Sequence, residues 1–162
     1  MTSSRVITVV PTMDTNIYAN GDVWFETTEV PLGVSFANCT PWLVDVQVVD
    51  GDDQTLFIWD LYLLRSNVAI GTLNGAANIS DANALEIIGR IPFDGTATIP
   101  DGIDIGTSKL YSMSAGKPPL PIMCKPAAGN PTKLYIAGVV RTGTPTNTAA
   151  GVTLKLGFVE KT

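Results

Sequence analysis

The chain has 162 residues, a formal net charge of −5 and no histidine. Its length fits one domain around one core; with 45% hydrophobic and only 15% charged residues, it is too apolar for disorder and poorer in charge than an average surface. The missing imidazole excludes Ser-His-Asp chemistry, histidine-ligated zinc and histidine pH switches, and the acidic balance argues against a nucleic-acid partner.

The first residues, Met1-Thr-Ser-Ser-Arg5, run directly into an alternating segment at 5–10. They lack the apolar run and cleavage site of a secretory leader, so synthesis in a cytoplasm is expected. Residues 1–162 are read as a single domain in which residues 1–12 form an extended N-terminal arm, laid on a neighbouring subunit or on a larger partner assembly, with Arg5 paired to an acidic group. A strand follows at 22–30, and another at 41–50, whose alternation puts Trp42, Val44, Val46 and Val48 on one face. Residues 54–64 form a further strand. Asp60 and Arg65 interrupt this apolar stretch, well short of the roughly 20 residues that span a bilayer, so no membrane partner is expected.

Ser80 is placed to cap one short helical turn over 81–85, which leads into a strand at 86–93. Residues 95–129 are rich in Pro and Gly, including Pro118-Pro119 and Pro121. They read as a long crossover with one or two short strands, one of them at 120–125. Strands at 133–141 and 152–159 complete the chain. Asn20-Gly21, Asp50-Gly51, Asn74-Gly75, Asp94-Gly95 and Asp101-Gly102 supply tight turns between these segments. The expected fold is all-β: an antiparallel two-sheet sandwich or jelly-roll-like barrel with one short helical turn.

Charge divides along the sequence, −11 over residues 1–104 and +6 over residues 105–162. If consecutive segments stay together in space, Lys109, Lys117, Lys125, Lys133, Arg141 and Lys155 form a basic face suited to a head-to-tail contact between copies or to docking on an oppositely charged scaffold; if they do not, the charges intermix. Arg5, Lys109, Lys117, Lys125, Lys133 and Arg141 are the candidate interface residues. The run Asp50-Gly51-Asp52-Asp53 has oxygen ligands for calcium but not the spacing of an EF-hand, and a solvated turn explains it better. Asp101 and Asp104 make a weaker case. Glu26 and Glu29, three apart in a strand, point to opposite faces and form no catalytic pair.

Trp24, Trp42 and Trp59 suit either a core or a sugar-stacking platform, the core being the commoner use. Cys39 and Cys124 belong to no Cys-x-x-Cys pair and read as small buried hydrophobes. Gly-rich phosphate loops are absent. No catalytic residue, metal-ligand set or cofactor is assigned, and the chain is not expected to be an enzyme.

Three segments carry a resemblance to a known family: Pro11-Thr-Met-Asp-Thr-Asn-Ile-Tyr-Ala-Asn-Gly-Asp22, Ile79-Ser-Asp-Ala-Asn-Ala-Leu-Glu-Ile-Ile-Gly89, and Leu134-Tyr-Ile-Ala-Gly-Val-Val-Arg-Thr-Gly-Thr-Pro145 continuing to Leu154-Lys-Leu-Gly-Phe-Val159. In order and spacing they resemble the small all-β head decoration, or cement, proteins of tailed bacteriophages, encoded beside the major capsid protein. With their connections they cover most of the chain. The resemblance implies a β-sandwich or jelly roll on the capsid exterior of a virion. It also implies binding to the major capsid protein, often as a trimeric homo-oligomer, and clamping of neighbouring capsid subunits. It brings no catalytic residues. The competing readings are a tail or fibre component, a carbohydrate-binding β-sandwich with Trp24 or Tyr18 exposed, and a small carboxylate hydrolase.

Overall fold

The computed structural model describes residues 4–36, 39–52, 54–97, 101–114 and 116–160. In chain order they form β1 (Ser4–Val9), β2 (Val23–Pro31), a 3-10 turn (Val34–Phe36), β3 (Pro41–Asp50), β4 (Ile58–Leu64), α1 (Asp81–Ala84), β5 (Ile87–Asp94), β6 (Gly102–Asp104), β7 (Lys109–Ser114), β8 (Ile122–Met123), β9 (Lys133–Thr142) and β10 (Val152–Glu160). The strands make two antiparallel sheets. One runs β1-β10-β3-β7-β6, with β8 also on β3, and the other runs β2-β9-β4-β5. The pairs β1/β10, β2/β9, β3/β7 and β4/β5 are nested inside one another. A long hairpin rolled up on itself gives this nesting, which is the topology of a jelly roll, so the all-β sandwich expected from the turn spacing is what forms.

The core lies between the sheets. Trp24, Phe25, Trp59, Leu61 and Phe93 enter from the second sheet, and Leu43, Val46, Val48, Tyr111, Leu156 and Phe158 from the first. At its centre Trp59 stacks on Phe93 with ring centroids 4.6 Å apart and meets Trp24 edge-on at 4.7 Å. Such pairs add about 0.5–1.5 kcal/mol each beyond the area they bury. Gly138 on β9 makes room for this packing, since a Cβ there would lie 2.4 Å from the Phe25 ring.

Four local features depart from the sequence reading. In β3, Gly157 faces Asp45 while Phe158 faces Leu43, so Val44 bulges out of the ladder. The bulge shifts the alternation by one residue. Leu43, Val46 and Val48 point inward, fully buried, while Trp42 is half-buried on the outer side. In β9, seven consecutive residues are buried rather than every second one, because residues 65–80 fold back over the outer face of the second sheet. There Val68, Ile70 and Ile79 pack on Val23, Tyr135, Ala137 and Val139 as a second small core. This roof is pinned by Val23 N donating to the Gly75 carbonyl (2.8 Å), Ala77 N to that of Gly21 (2.9 Å) and Asn78 N to that of Ile70 (2.9 Å). Asn74 takes the left-handed conformation expected of its Asn-Gly turn, with φ 53°.

The crossover at 95–129 carries three strands, the longest being β7, which pairs with β3 over six residues. Finally, residues 4–9 of the expected arm form β1, the sheet edge next to β10, in register from Ser4 opposite Val159 to Val9 opposite Leu154. Residues 1–3 lie outside the described residues. The helical turn is as the sequence predicts, with Ser80 Oγ accepting from Asn83 N at 3.2 Å.

Candidate interaction face

The two outer faces of the sandwich differ. The second sheet is partly covered by its roof, and beneath the roof lies an apolar pocket of about 60 Å³ lined by Tyr62, Ile70, Ala77, Ile79, Ile87 and Val139. Over the first sheet the described residues form no hydrophobic cluster outside the core. Its outward side chains are Val6 and Thr8 on β1, Thr153 and Lys155 on β10, Trp42, Asp45, Gln47 and Val49 on β3, and Leu110 and Ser112 on β7, with Ile103 and Met123 beside them. Val6 is 67% exposed, Met123 55% and Ile103 52%. Among these outward residues Asp45 and Lys155 are the only charges, and they are of opposite sign. A broad, nearly neutral face of hydroxyl and aliphatic groups loses little on desolvation, which is what a docking surface needs. The signal was present in the sequence as the non-core half of the β1 and β7 alternations, Val6, Thr8, Leu110 and Ser112, which is hydroxyl or aliphatic where an ordinary surface strand carries charge.

The six basic interface candidates are not gathered into one face. Lys109 is largely buried on β7 and pairs with Asp104 at 3.0 Å, holding that carboxyl below its usual value. Lys117 pairs with Asp101, Lys133 with Glu29 at 2.8 Å, and Arg141 with Asp60. Arg5 donates to the Leu32 carbonyl at 2.9 Å rather than to an acidic group. Lys125 is exposed in an open depression beside the Arg65–Glu86 pair. Of the two arrangements the sequence leaves open, the intermixed one forms, because nesting places β7, β9 and β10, from the basic end of the chain, against β2, β3 and β4 from the acidic part. Charge that is polarised in sequence is intermixed in space.

The acidic run after β3 is a staple rather than a solvated turn. Asp50 is fully buried, and its Oδ1 accepts from Asp52 N at 3.0 Å and Asn147 Nδ2 at 3.2 Å. Asn147 Oδ1 in turn accepts from Trp24 Nε1 at 2.8 Å. The Asp52 carboxylate accepts from Thr148 N and Thr148 Oγ1, both at 2.9 Å, tying the β3–β4 connection to the β9–β10 connection. Burial pushes the Asp50 carboxyl up. Asp53 lies outside the described residues. No group of three side chains able to hold a metal occurs among the described residues.

Glu26 and Glu29 are both exposed because β2 shifts register twice. Glu26 accepts from Leu73 N at 2.9 Å and Glu29 is taken by Lys133, so the two carboxylates have separate structural partners. Trp24, Trp59 and Tyr18 are buried; the aromatic core claims both indoles, and the Tyr18 hydroxyl accepts from Asp14 N at 2.6 Å. The stacking platform that a sugar-binding reading draws from Trp24 or Tyr18 is therefore not formed. Both cysteines are free thiols, and burial pushes that of Cys124 up to about 12.

No protein-family model matches the chain, and none of the curated proteins is significantly similar to it. Among solved structures the chain is similar to one in the cryo-EM structure of Mud Crab Dicistrovirus, at 9% identity and a TM-score of 0.27, over 99% of this chain and 67% of that one. A likeness of that size carries no functional argument.

Proposed function

We propose that the chain is a structural virion protein, a capsid decoration protein that lays the bare face of its first sheet on the outside of a tailed-phage head and bridges major capsid subunits. The role is adhesive rather than catalytic, and the protein acts as a homo-oligomer, a trimer at a symmetry axis of the shell. The observation that carries this reading is the asymmetry of the sandwich, with one outer face partly covered by residues 65–80 of its own chain and the other nearly free of net charge. The three segments that resemble head decoration proteins support it. Jelly rolls build viral shells and lectin domains alike, so the fold agrees with the reading without selecting it.

Cosedimentation of the purified protein with expanded heads that lack it is the test. Saturable binding at a copy number compatible with the shell's symmetry is expected. Failure to bind heads, with the protein recovered in tail fractions instead, would move the assignment to a tail or fibre component.

A further inference from the structure

On the outer side of the second sheet, beyond the roof, β4, β5 and β9 bring Asp60, Tyr62, Arg90 and Arg141 together. Asp60 is buried, its side chain only 3% exposed, while Arg90 and Arg141 are 53% and 41% exposed. Both guanidiniums reach the same oxygen: Arg90 Nη1 donates to Asp60 Oδ2 at 3.3 Å, and Arg141 Nε donates to it as well. Arg141 Nη2 donates to the Tyr62 hydroxyl at 2.5 Å.

Each arginine thus spends a single donor on the carboxylate. Neither makes the two-bond fork that guanidinium and carboxylate form when they pair only with each other. Among the described residues, the Arg90 guanidinium makes no further hydrogen bond. One buried negative charge therefore fixes two exposed positive ones side by side, and the cluster keeps an excess of +1 on a chain whose net charge is −5. Holding two guanidiniums together is unfavourable unless an anion lies between or over them, and Asp60 supplies only half of that compensation. The excess charge and the unused planar donors match one monoanionic carboxylate, gripped from above while Asp60 holds the arginines from below.

We propose that Arg90 and Arg141, positioned by Asp60 and Tyr62, form a binding site for a carboxylate side chain of a partner protein. The site stands independently of the docking proposed for the other sheet, since it lies on the opposite face of the sandwich.

The test is titration of the full chain with a short, end-capped aspartate peptide, followed through the arginine side-chain NMR signals, with inorganic phosphate as the second probe. Saturable shifts of the Arg90 and Arg141 Nε–H signals are expected with the peptide. Affinity read through the Arg141 signal should weaken at least about tenfold in Arg90→Gln, whose exposed position leaves the fold intact, and both signals should respond unchanged in Lys155→Gln on the opposite face. Loss of the site in Asp60→Asn with retained fold would add support. No saturable shift with the peptide, equal binding by Arg90→Gln, or tighter binding of phosphate than of the peptide would each overturn the proposal.

Discussion

Asn147 serves two buried groups at once, accepting from the Trp24 indole and donating to Asp50. Truncation to alanine strands the indole N–H and takes from the buried Asp50 carboxylate one of its two donors, each loss leaving a penalty of about 1–3 kcal/mol. Asn147→Ala is therefore expected to destabilise the fold by about 3 kcal/mol in a denaturant titration, against well under 1 kcal/mol for truncation of the exposed Asn16. Asp50 itself gives a pH prediction. Desolvation raises its carboxyl, and the bonds from Asp52 N and Asn147 offset this only in part. The folded chain consequently holds that proton more tightly than the unfolded one. Its contribution to stability is present below the ordinary carboxylate value of about 4 and is lost as pH rises through the raised folded value. Wild type should lose stability relative to Asp50→Asn between pH 3.5 and pH 7; a difference constant across that range would contradict the assignment. Neither role was legible in the sequence. Asp-Gly reads as a solvent turn, and the partner that buries it comes from a loop 97 positions away.

At the scale of elements, strand positions were legible because apolar alternation and Asn-Gly or Asp-Gly turns are local signals. What each strand faces was legible only in part. The alternation in β3 assigns Val44 to the core, but one bulged residue gives its place to Leu43. In β9 the continuous run Leu134 to Val140 is buried on both sides because the roof, 60 or so residues earlier in the chain, packs on it. The roof should behave as a separate unit of lower stability. Ile70→Ala removes a nearly buried side chain and is expected to remove about 2–3 kcal/mol, concentrated locally. In hydrogen exchange the Ala77 and Asn78 amides should lose protection while those of β10 keep theirs. Equal loss in both would show that the roof and the main core open together.

Across the whole molecule, nested pairing is what joins sequence to function. It sets the basic C-terminal strands among the acidic ones and turns the apparent electrical polarity into ion pairs within the chain, Lys133 with Glu29 and Arg141 with Asp60. The outward side chains of the first sheet named above carry only two charges, Asp45 and Lys155, of opposite sign. Docking through that face should then depend weakly on salt. Affinity for heads is expected to change by less than about threefold between 50 and 500 mM NaCl, where an interface of opposed charges would be strongly screened.

The most direct measurement compares head occupancy by wild type with that of Val6→Glu and Met123→Glu on the bare face and Leu85→Glu on the roofed side, where Leu85 is 75% exposed. Burying a new carboxylate in an apolar contact without a partner is costly. Loss of occupancy in the first two variants, with full occupancy by the third, is the predicted result. Full occupancy by Val6→Glu and Met123→Glu, with loss in Leu85→Glu, would contradict the assignment of the docking face.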